Sequence, residues 1–290
     1  MGDKWSAWLM GRRDGGDPGV RRDHHPALVR FRDGVLQRAA VREGDVVLDV
    51  GTGTGLIGFG ALEQVGASGR VIFSDVSEAL LDECRRQAGD DARCEFVRAS
   101  ADDLAGIADG SVDVVTTRSV LMYLPDKGKG FRELARVLRP GGRLAVFEPI
   151  NSFAVRRGIR LFGFDLAPVD DLVAKLLTAY RNEGVIADFD ERDLLRWAGE
   201  AGFTAIELDY RAEVEVPEPP LSAGWERLRR TAPNPLAPTY EEAIARTMTV
   251  EEAARFEAYI KDLIDQGAPR ASTMGTAYLK AVRPDPPAGP

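Results

Sequence analysis

A short apolar run that ends in alternating glycines constrains the fold of this chain most strongly. Residues 47–55 read VLDVGTGTG, so the run leads directly into Gly51, Gly53 and Gly55. Glycine lets a backbone turn sharply and approach a ligand without a Cβ atom in the way, and a following helix presents its free N–H groups to that ligand. The next apolar run ends at Asp75, 24 residues after Gly51, where a carboxylate is placed to accept hydrogen bonds from ribose hydroxyls.

Predicted strands and helices alternate through the first half of the chain. The predicted strands lie at residues 45–50, 70–76, 94–98, 112–117 and 143–148, and the helices between them at 56–65, 77–87 and 127–138. Such spacing implies right-handed crossovers and a parallel sheet that is covered on both faces. The sequence therefore predicts an α/β doubly wound core.

Helical segments flank this core and interrupt it near its end. The predicted organisation is an N-terminal helical cap at residues 1–42 (helices at 4–11 and 26–41), the ligand-binding core at 43–150, a helical insertion with a core helix at 151–202, a core strand at 203–216, a helical lid insertion at 217–270, a last core strand at 271–283 and a disordered tail at 284–290. We interpret both insertions as additions to the core, because each is too short to bury a core of its own.

Composition excludes several classes of protein. A net charge of −8 argues against nucleic acid or an anionic membrane surface as the main partner. The two cysteines, Cys84 and Cys94, exclude a disulfide-stapled scaffold and a Cys-rich zinc module. Neither His24 nor His25 has an acidic partner at metal-ligand spacing, so no metal site is predicted. With no apolar run near the roughly 18 residues of a membrane span and no signal cleavage site, a cytoplasmic enzyme is expected.

The glycine turn leaves two classes of cofactor open. Residues 53–58, GTGLIG, also satisfy the G-x-G-x-x-G pattern of dinucleotide sites, which alone is a weak signal. Counted from Gly51, however, the spacing is G-x-G-x-G, with Leu56 where a dinucleotide site has its third glycine. Asp49 also stands inside the strand, where nicotinamide sites commonly have an apolar residue or glycine. A nicotinamide oxidoreductase remains the less favoured alternative.

Five motifs in order resemble those of the class I S-adenosylmethionine-dependent methyltransferases, in the branch of ubiquinone-type and small-molecule enzymes. VLDVGTGTG resembles the cofactor glycine loop and Asp75 the ribose-binding acid. RASADDL at residues 98–104 is similar to the adenine-binding stretch, and VDVV at 112–115 with RSVL at 118–121 to the motif beside the methionine moiety. LARVLRPGG at 134–142, followed by RLAVFEP, resembles the downstream signature. The resemblance covers residues 41–149.

The resemblance implies a Rossmann-like doubly wound sheet of seven strands, with the last strand antiparallel, helical lid insertions and S-adenosylmethionine as cofactor. Ser100 replaces the usual acidic or amide residue, so contact to the adenine amino group is expected from Asp102. The implied cofactor-binding residues are Asp49, Gly51, Thr52, Gly53, Gly55, Asp75, Val76, Ser100, Ala101, Asp102, Arg118 and Ser119.

Three residues are candidates for a catalytic role, each with a plainer alternative. Glu148, at the carboxyl end of the fifth strand, is placed to orient or deprotonate a substrate; alternatively it is a surface carboxylate or accepts hydrogen bonds as a helix cap. Tyr123 stands where relatives often carry a histidine near the substrate, although packing is as good an explanation. His25, like His24, lies on a segment that often folds over the cofactor in this family, and titrates near neutrality; a solvated loop is the alternative.

The leading hypothesis is methyl transfer to a small molecule, such as a specialised metabolite, at oxygen, nitrogen or carbon. A peptide or protein acceptor and a non-catalytic S-adenosylmethionine-binding partner subunit remain open, as does the oligomeric state. Substrate choice is predicted to reside in residues 151–184 and 217–270, whose aromatic residues are expected to pack on each other and present a minority to the cleft. Residues 5–32 are predicted to close over the ligands.

Overall fold

The computed structural model describes residues 3–16, 18–157, 161–180, 185–221 and 223–286, except for the side chains of 18–25 and 155–157. The chain divides into two compact units. The sheet unit comprises Ala27–Ser152, Val185–Arg211 and Gly275–Pro290, and the helical unit comprises Met1–Pro26, Phe153–Gly184 and Ala212–Met274.

Within the described ranges, the strands form one seven-stranded sheet of order β3-β2-β1-β4-β5-β7-β6. Strands β1 to β5 run parallel, while β7 runs antiparallel to β5. This arrangement confirms the predicted fold class. The strands are β1 Val46–Val50, β2 Arg70–Asp75, β3 Cys94–Arg98, β4 Val112–Arg118, β5 Leu138–Pro149, β6 Thr204–Glu218 and β7 Arg270–Val282.

The helices connect and cover these strands. Several begin at a residue whose side chain caps the first turn; for example, Ser77 accepts from the N–H of Leu80, and Asp126 from that of Lys129. In the described part of the chain, none of the helices is long and apolar enough to cross a membrane. They are α1 Lys4–Ala7, α2 Pro18–Ala39, α3 Leu56–Leu62, α4 Glu78–Ala88, α5 Lys127–Val137, α6 Asn151–Arg157, α7 Asp170–Thr178, α8 Glu191–Glu200, α9 Trp225–Leu228, α10 Tyr240–Thr247 and α11 Val250–Asp265.

The core of the sheet unit explains why its central strands are almost continuously apolar. Val47 of β1, Val71 of β2 and Val114 of β4 are fully buried and pack with Val35 of α2 and Ile57 of α3. Strands covered on both faces have no solvent side that would require polar residues. Polar residues therefore collect at the ends of these strands, and at their carboxyl ends the strand order reverses between β1 and β4.

Several predicted boundaries were wrong. Helix α2 begins at Pro18 rather than at residue 26, so Pro26 lies inside the helix; Pro18 supplies the N-terminal proline that the prediction assigned to Pro26. The predicted helix at 4–11 is one turn followed by a π-helical turn, Trp8–Arg12. Strand β5 begins at Leu138 and already includes the Pro-Gly-Gly segment, because Leu138 has extended backbone angles at the end of α5.

The helical unit has a hydrophobic core of its own. Two residues of the first predicted insertion, Leu161 and Phe164, pack with three residues of the second, Trp225, Leu228 and Phe256. The two segments thus bury their apolar residues on each other, as predicted, and share one core that neither is long enough to form alone.

Candidate active site

The predicted glycine turn lies at the carboxyl end of β1. Gly51, Gly53 and Gly55 have φ values of +65°, +58° and +84°, in the left-handed region that L side chains rarely adopt. A Cβ atom on Gly51 would overlap Cγ2 of Val120, and one on Gly55 would overlap the Phe59 ring. The protein's own packing, in addition to any ligand, therefore requires glycine here.

The Asp49 carboxylate accepts hydrogen bonds that stabilise this turn. Its Oδ2 accepts hydrogen bonds from the Thr52 hydroxyl at 2.7 Å and the Gly58 N–H at 2.9 Å, and its Oδ1 accepts from the Thr116 hydroxyl at 2.9 Å. The side chain is buried, and burial raises the pKa of Asp49 to about 6 although these hydrogen bonds oppose the shift. Direct cofactor contacts by Asp49 and Thr52 remain predictions.

Asp75 lies beside the same turn. Its Oδ2 accepts from the Gly53 N–H and its Oδ1 from the Ser77 N–H, both at 2.9 Å. The structure thus places Asp75 beside the glycine turn, as the spacing of the two motifs in the sequence predicted.

A shallow depression adjoins Asp75 on the side of β3. Its apolar edge includes Val76, which is 38% exposed, and Ser100 contributes a hydroxyl that donates to Asp102 Oδ1 at 2.5 Å. The predicted residues Val76 and Ser100 line the depression, whereas Asp102 is not among its lining residues and Ala101 is buried. The sequence prediction missed Asp103, although it stands in the same motif. The depression is lined by Val76, Arg98, Ala99, Ser100, Asp103 and Ala105.

The chain turns sharply where β4 ends. Ser119 has a φ of +56°, a conformation that costs a non-glycine residue about 1 kcal/mol or more, and its N–H donates to the Phe147 carbonyl at 2.9 Å. Arg118, the last residue of β4, is half-buried, and its charge lowers the pKa of Asp49 and Glu148 against the larger effect of burial. Both residues lie at the same edge as the glycine turn, and their cofactor contacts remain predictions.

Glu148, near the end of β5, contacts the turn that follows β4. Its Oε1 accepts from the N–H groups of Val120 at 2.9 Å and Leu121 at 2.8 Å, and its Oε2 accepts from that of Met122 at 3.3 Å. The side chain is 0% exposed, and burial raises the pKa of Glu148 to about 7 although the backbone hydrogen bonds oppose it. This geometry matches the helix-cap alternative; direct proton transfer by Glu148 remains a prediction.

The other candidate groups have simpler surroundings. Tyr123 is half-buried at the end of the short helical turn Leu121–Tyr123, and its catalytic role stays a prediction. His25 lies in α2, but its side chain is outside the described residues. Burial raises the pKa of Cys84 to about 12, so this thiol is inert packing near Gly53. Among the described residues, no three His, Cys, Asp or Glu side chains are grouped to hold a metal ion.

The strand order, the antiparallel β7, and the glycine turn with its neighbouring acid define a class I S-adenosylmethionine-dependent methyltransferase. Comparison with known sequences then gives the family. The sequence model of the ubiE/COQ5 methyltransferase family matches residues 27–213, and the chain belongs to that family. The predicted resemblance and the predicted enzyme class are thereby confirmed.

Individual relatives agree with this assignment. The chain is 39% identical over 184 residues to a demethylmenaquinone methyltransferase from Clavibacter sepedonicus, covering 61% of this chain and 73% of the relative. It is 34% identical over 181 residues to the ubiquinone/menaquinone biosynthesis C-methyltransferase UbiE from Cronobacter sakazakii, covering 58% and 70%. The structure of phosphoethanolamine N-methyltransferase 2 from Haemonchus contortus with S-adenosyl-L-methionine has a TM-score of 0.52 at 16% identity, covering 97% of this chain and 56% of that one. At that identity it shows a shared fold alone.

Proposed function

We propose that this protein binds S-adenosylmethionine at the carboxyl edge of its sheet unit and transfers the methyl group to a carbon atom of a small reduced quinone. The family and the two relatives named above support this acceptor class. The observation that carries the cofactor assignment is the Asp75 carboxylate, which ends β2 beside the glycine turn and accepts the Gly53 N–H, the position from which an acid binds ribose hydroxyls in folds of this type.

The residues present fit this cofactor in three respects. Asp75 matches the ribose, and the depression beside Val76 and Ser100 offers an apolar edge and polar groups for an adenine ring. Gly51 and Ser119 lie at the adjoining ends of β1 and β4, where the methionine part would extend. The acidic side chains at this edge, Asp49 and Asp75, also suit a cationic sulfonium.

The chemistry asks little of protein side chains. When bound, S-adenosylmethionine supplies an electrophilic methyl group, which the acceptor carbon takes by direct displacement while that carbon gives up a proton to solvent or to a base. The protein's contribution is to align the acceptor with the methyl group and to exclude water. The rigid braces at Asp49 and Glu148 suit this task, because they fix backbone without occupying the open side of either turn.

Two measurements test the proposal. Calorimetry should detect binding of S-adenosylhomocysteine and none of NADH. With radiolabelled S-adenosylmethionine, label should then enter a soluble naphthoquinone after its reduction to the hydroquinone, and not the unreduced quinone, whose ring carbons are not nucleophilic. NADH binding without S-adenosylhomocysteine binding would support an oxidoreductase instead and overturn the proposal.

The same assay separates the remaining alternatives. Label transfer to a peptide mixture but not to the hydroquinone would indicate a peptide or protein acceptor. Tight cofactor binding without transfer to either would favour a non-catalytic partner subunit. We also propose a cytoplasmic location with a small-molecule partner, which cell fractionation with a tagged chain would test.

A further inference from the structure

Glu148 makes more backbone contacts than a cap requires. Its two carboxylate oxygens accept three consecutive N–H groups, those of residues 120–122, at 2.8–3.3 Å, and the side chain is 0% exposed. Hydrogen bonds to a charged acceptor are stronger than those between neutral groups. The position of the turn after β4 is therefore set by a side chain at the end of β5.

This turn would not take its shape unaided. Ser119 has the strained φ of +56°, which persists only where surrounding contacts hold it. Two contacts from β5 do so: the Phe147 carbonyl accepts the Ser119 N–H, and Glu148 accepts the three N–H groups that follow. Removal of the Glu148 charge would weaken the second contact and leave the first.

The turn after β4 also packs against the glycine turn. A Cβ atom at Gly51 would overlap Cγ2 of Val120, so Val120 packs directly against the backbone of Gly51. A displacement of residues 120–122 would therefore alter the space between the ends of β1 and β4, where the methionine part of the cofactor extends in the proposed function.

We propose that Glu148 is a positioning residue, whose ionised carboxylate clamps residues 120–122 against Gly51 and so shapes the methionine side of the cofactor site. The inference rests on the proposed function for the identity of the ligand. The charged group that acts on Glu148 from β4 is Arg118. Tyr278 of β7 also lies within the field of Arg118, and Tyr123 ends the clamped turn.

Glu148→Gln is the main test variant, because Glu148→Ala leaves three buried N–H groups without an acceptor and can unfold the turn. Gln keeps the shape and one acceptor oxygen but not the charge. We expect Glu148→Gln to bind S-adenosylhomocysteine about tenfold more weakly than the wild type at pH 8.5, the size expected for loss of charge-assisted hydrogen bonds. Wild-type affinity should fall more steeply than that of the variant as the pH falls from 8.5 to 6, because Glu148 titrates in the wild type alone, whereas Asp49, whose pKa is raised to about 6, titrates in both proteins.

Asp113→Asn is the matched control. Asp113 also accepts a backbone N–H of a neighbouring strand, that of Val46 at 2.8 Å, but at the amino edge of the same sheet. This variant should keep both the wild-type affinity and its pH profile. Equal losses of affinity in Asp113→Asn and Glu148→Gln would show a general effect of stability and overturn the proposal.

A second readout needs no cofactor. The three N–H groups lower the pKa of the buried carboxyl, so protonation weakens their hydrogen bonds while the side chain stays buried. Amide hydrogen exchange of a peptide covering residues 119–124, corrected for the intrinsic pH dependence, should therefore show a loss of protection in the free wild type between pH 8.5 and 6. In Glu148→Gln the protection should be low at both pH values. If the wild type fails to bind S-adenosylhomocysteine but shows this exchange pattern, the proposed function is wrong and the clamp stands. If it binds the ligand and Glu148→Gln matches it in affinity and exchange, the clamp is wrong.

Discussion

In the sheet unit, carboxylates at the carboxyl ends of the parallel strands (the carboxyl edge) and at their amino ends (the amino edge) differ in their hydrogen-bond partners. At the carboxyl edge, Asp49 and Glu148 accept hydrogen bonds from neutral N–H and hydroxyl groups. At the amino edge, Asp113 forms an ion pair with Arg139 and accepts the Val46 N–H. All three carboxylates therefore have hydrogen-bond donors, and among these three Asp113, which is half-buried, is the one that is hydrogen-bonded to a cation.

Their pKa shifts follow from this difference. Burial raises the pKa of Asp49 to about 6 and that of Glu148 to about 7. Burial acts in the same direction on Asp113, but the Val46 N–H and the Arg139 guanidinium outweigh it and lower the pKa of that carboxyl. At the amino edge the Arg139 guanidinium and the Val46 N–H offset the cost of burying a carboxylate, whereas at the carboxyl edge that cost is not fully offset and the ionised forms are disfavoured.

The largest effect is expected from Asp49→Ala. This change leaves the Gly58 N–H and the hydroxyls of Thr52 and Thr116 without their buried acceptor, and an unsatisfied buried group costs about 1–3 kcal/mol. We expect a loss of about 3–4 kcal/mol in the free energy of unfolding, measured by urea denaturation at pH 8. Asp113→Ala should cost less, about 1–2 kcal/mol, because it leaves a single part-buried N–H group, that of Val46, without its acceptor, and the exposed Arg139 regains water. Similar losses in both variants would contradict the distinction between the edges.

Asp75→Ala should have the next largest effect, on ligand affinity. A hydrogen bond to a charged group contributes about 1.5–3 kcal/mol, which corresponds to about 10–150-fold in the dissociation constant of S-adenosylhomocysteine. Calorimetry on the folded variant measures it, with Asp113→Ala as the control of unchanged affinity. Wild-type affinity in folded Asp75→Ala would refute the ribose assignment.

The pH dependence of stability should differ between the edges in sign. The pKa of Glu148 lies above its ordinary value, so the folded state holds this proton more tightly, and the stabilisation present at low pH is lost as the pH rises through about 7. Relative to Glu148→Gln, the wild type should therefore lose roughly 2 kcal/mol of stability between pH 5 and pH 8. Asp113, with its lowered pKa, contributes stability that is lost as the pH falls below about 4. Parallel denaturation curves of wild type and Glu148→Gln at all pH values would be the contrary result.

The sequence predicted the parallel core and the meeting of Asp75 with the glycine turn because both are encoded locally, whereas the antiparallel last strand was implied by the family resemblance alone. The glycines of residues 51–55 indicate a tight turn, and the apolar runs indicate buried strands. The order of the elements and the position of Asp75 beside the glycine turn could therefore be predicted from these patterns. The role of Glu148 was harder to predict, because a glutamate at the end of a strand gives the same sequence pattern whether its carboxyl group faces a cleft or accepts backbone hydrogen bonds. Its three N–H partners belong to a turn 26–28 residues earlier in the chain, and no local pattern connects them. Pro26 misled for a similar reason, since proline permits a helix start without requiring one.

The smallest effect concerns the N-terminal segment, residues 5–32, which the sequence predicted to close over the ligands. Within the helical unit, the Trp8 indole donates to the Ala232 carbonyl at 2.8 Å and the Ala232 N–H donates to the Arg12 carbonyl at 2.9 Å. Gly15 and Gly16 follow with φ values of +59° and +74°, so a change of direction is easiest there. We expect S-adenosylhomocysteine to increase amide protection a few-fold in peptides covering residues 15–32, and to leave residues 5–12 unchanged because they are already held. Equal protection of residues 15–32 with and without ligand would show that the segment is packed permanently.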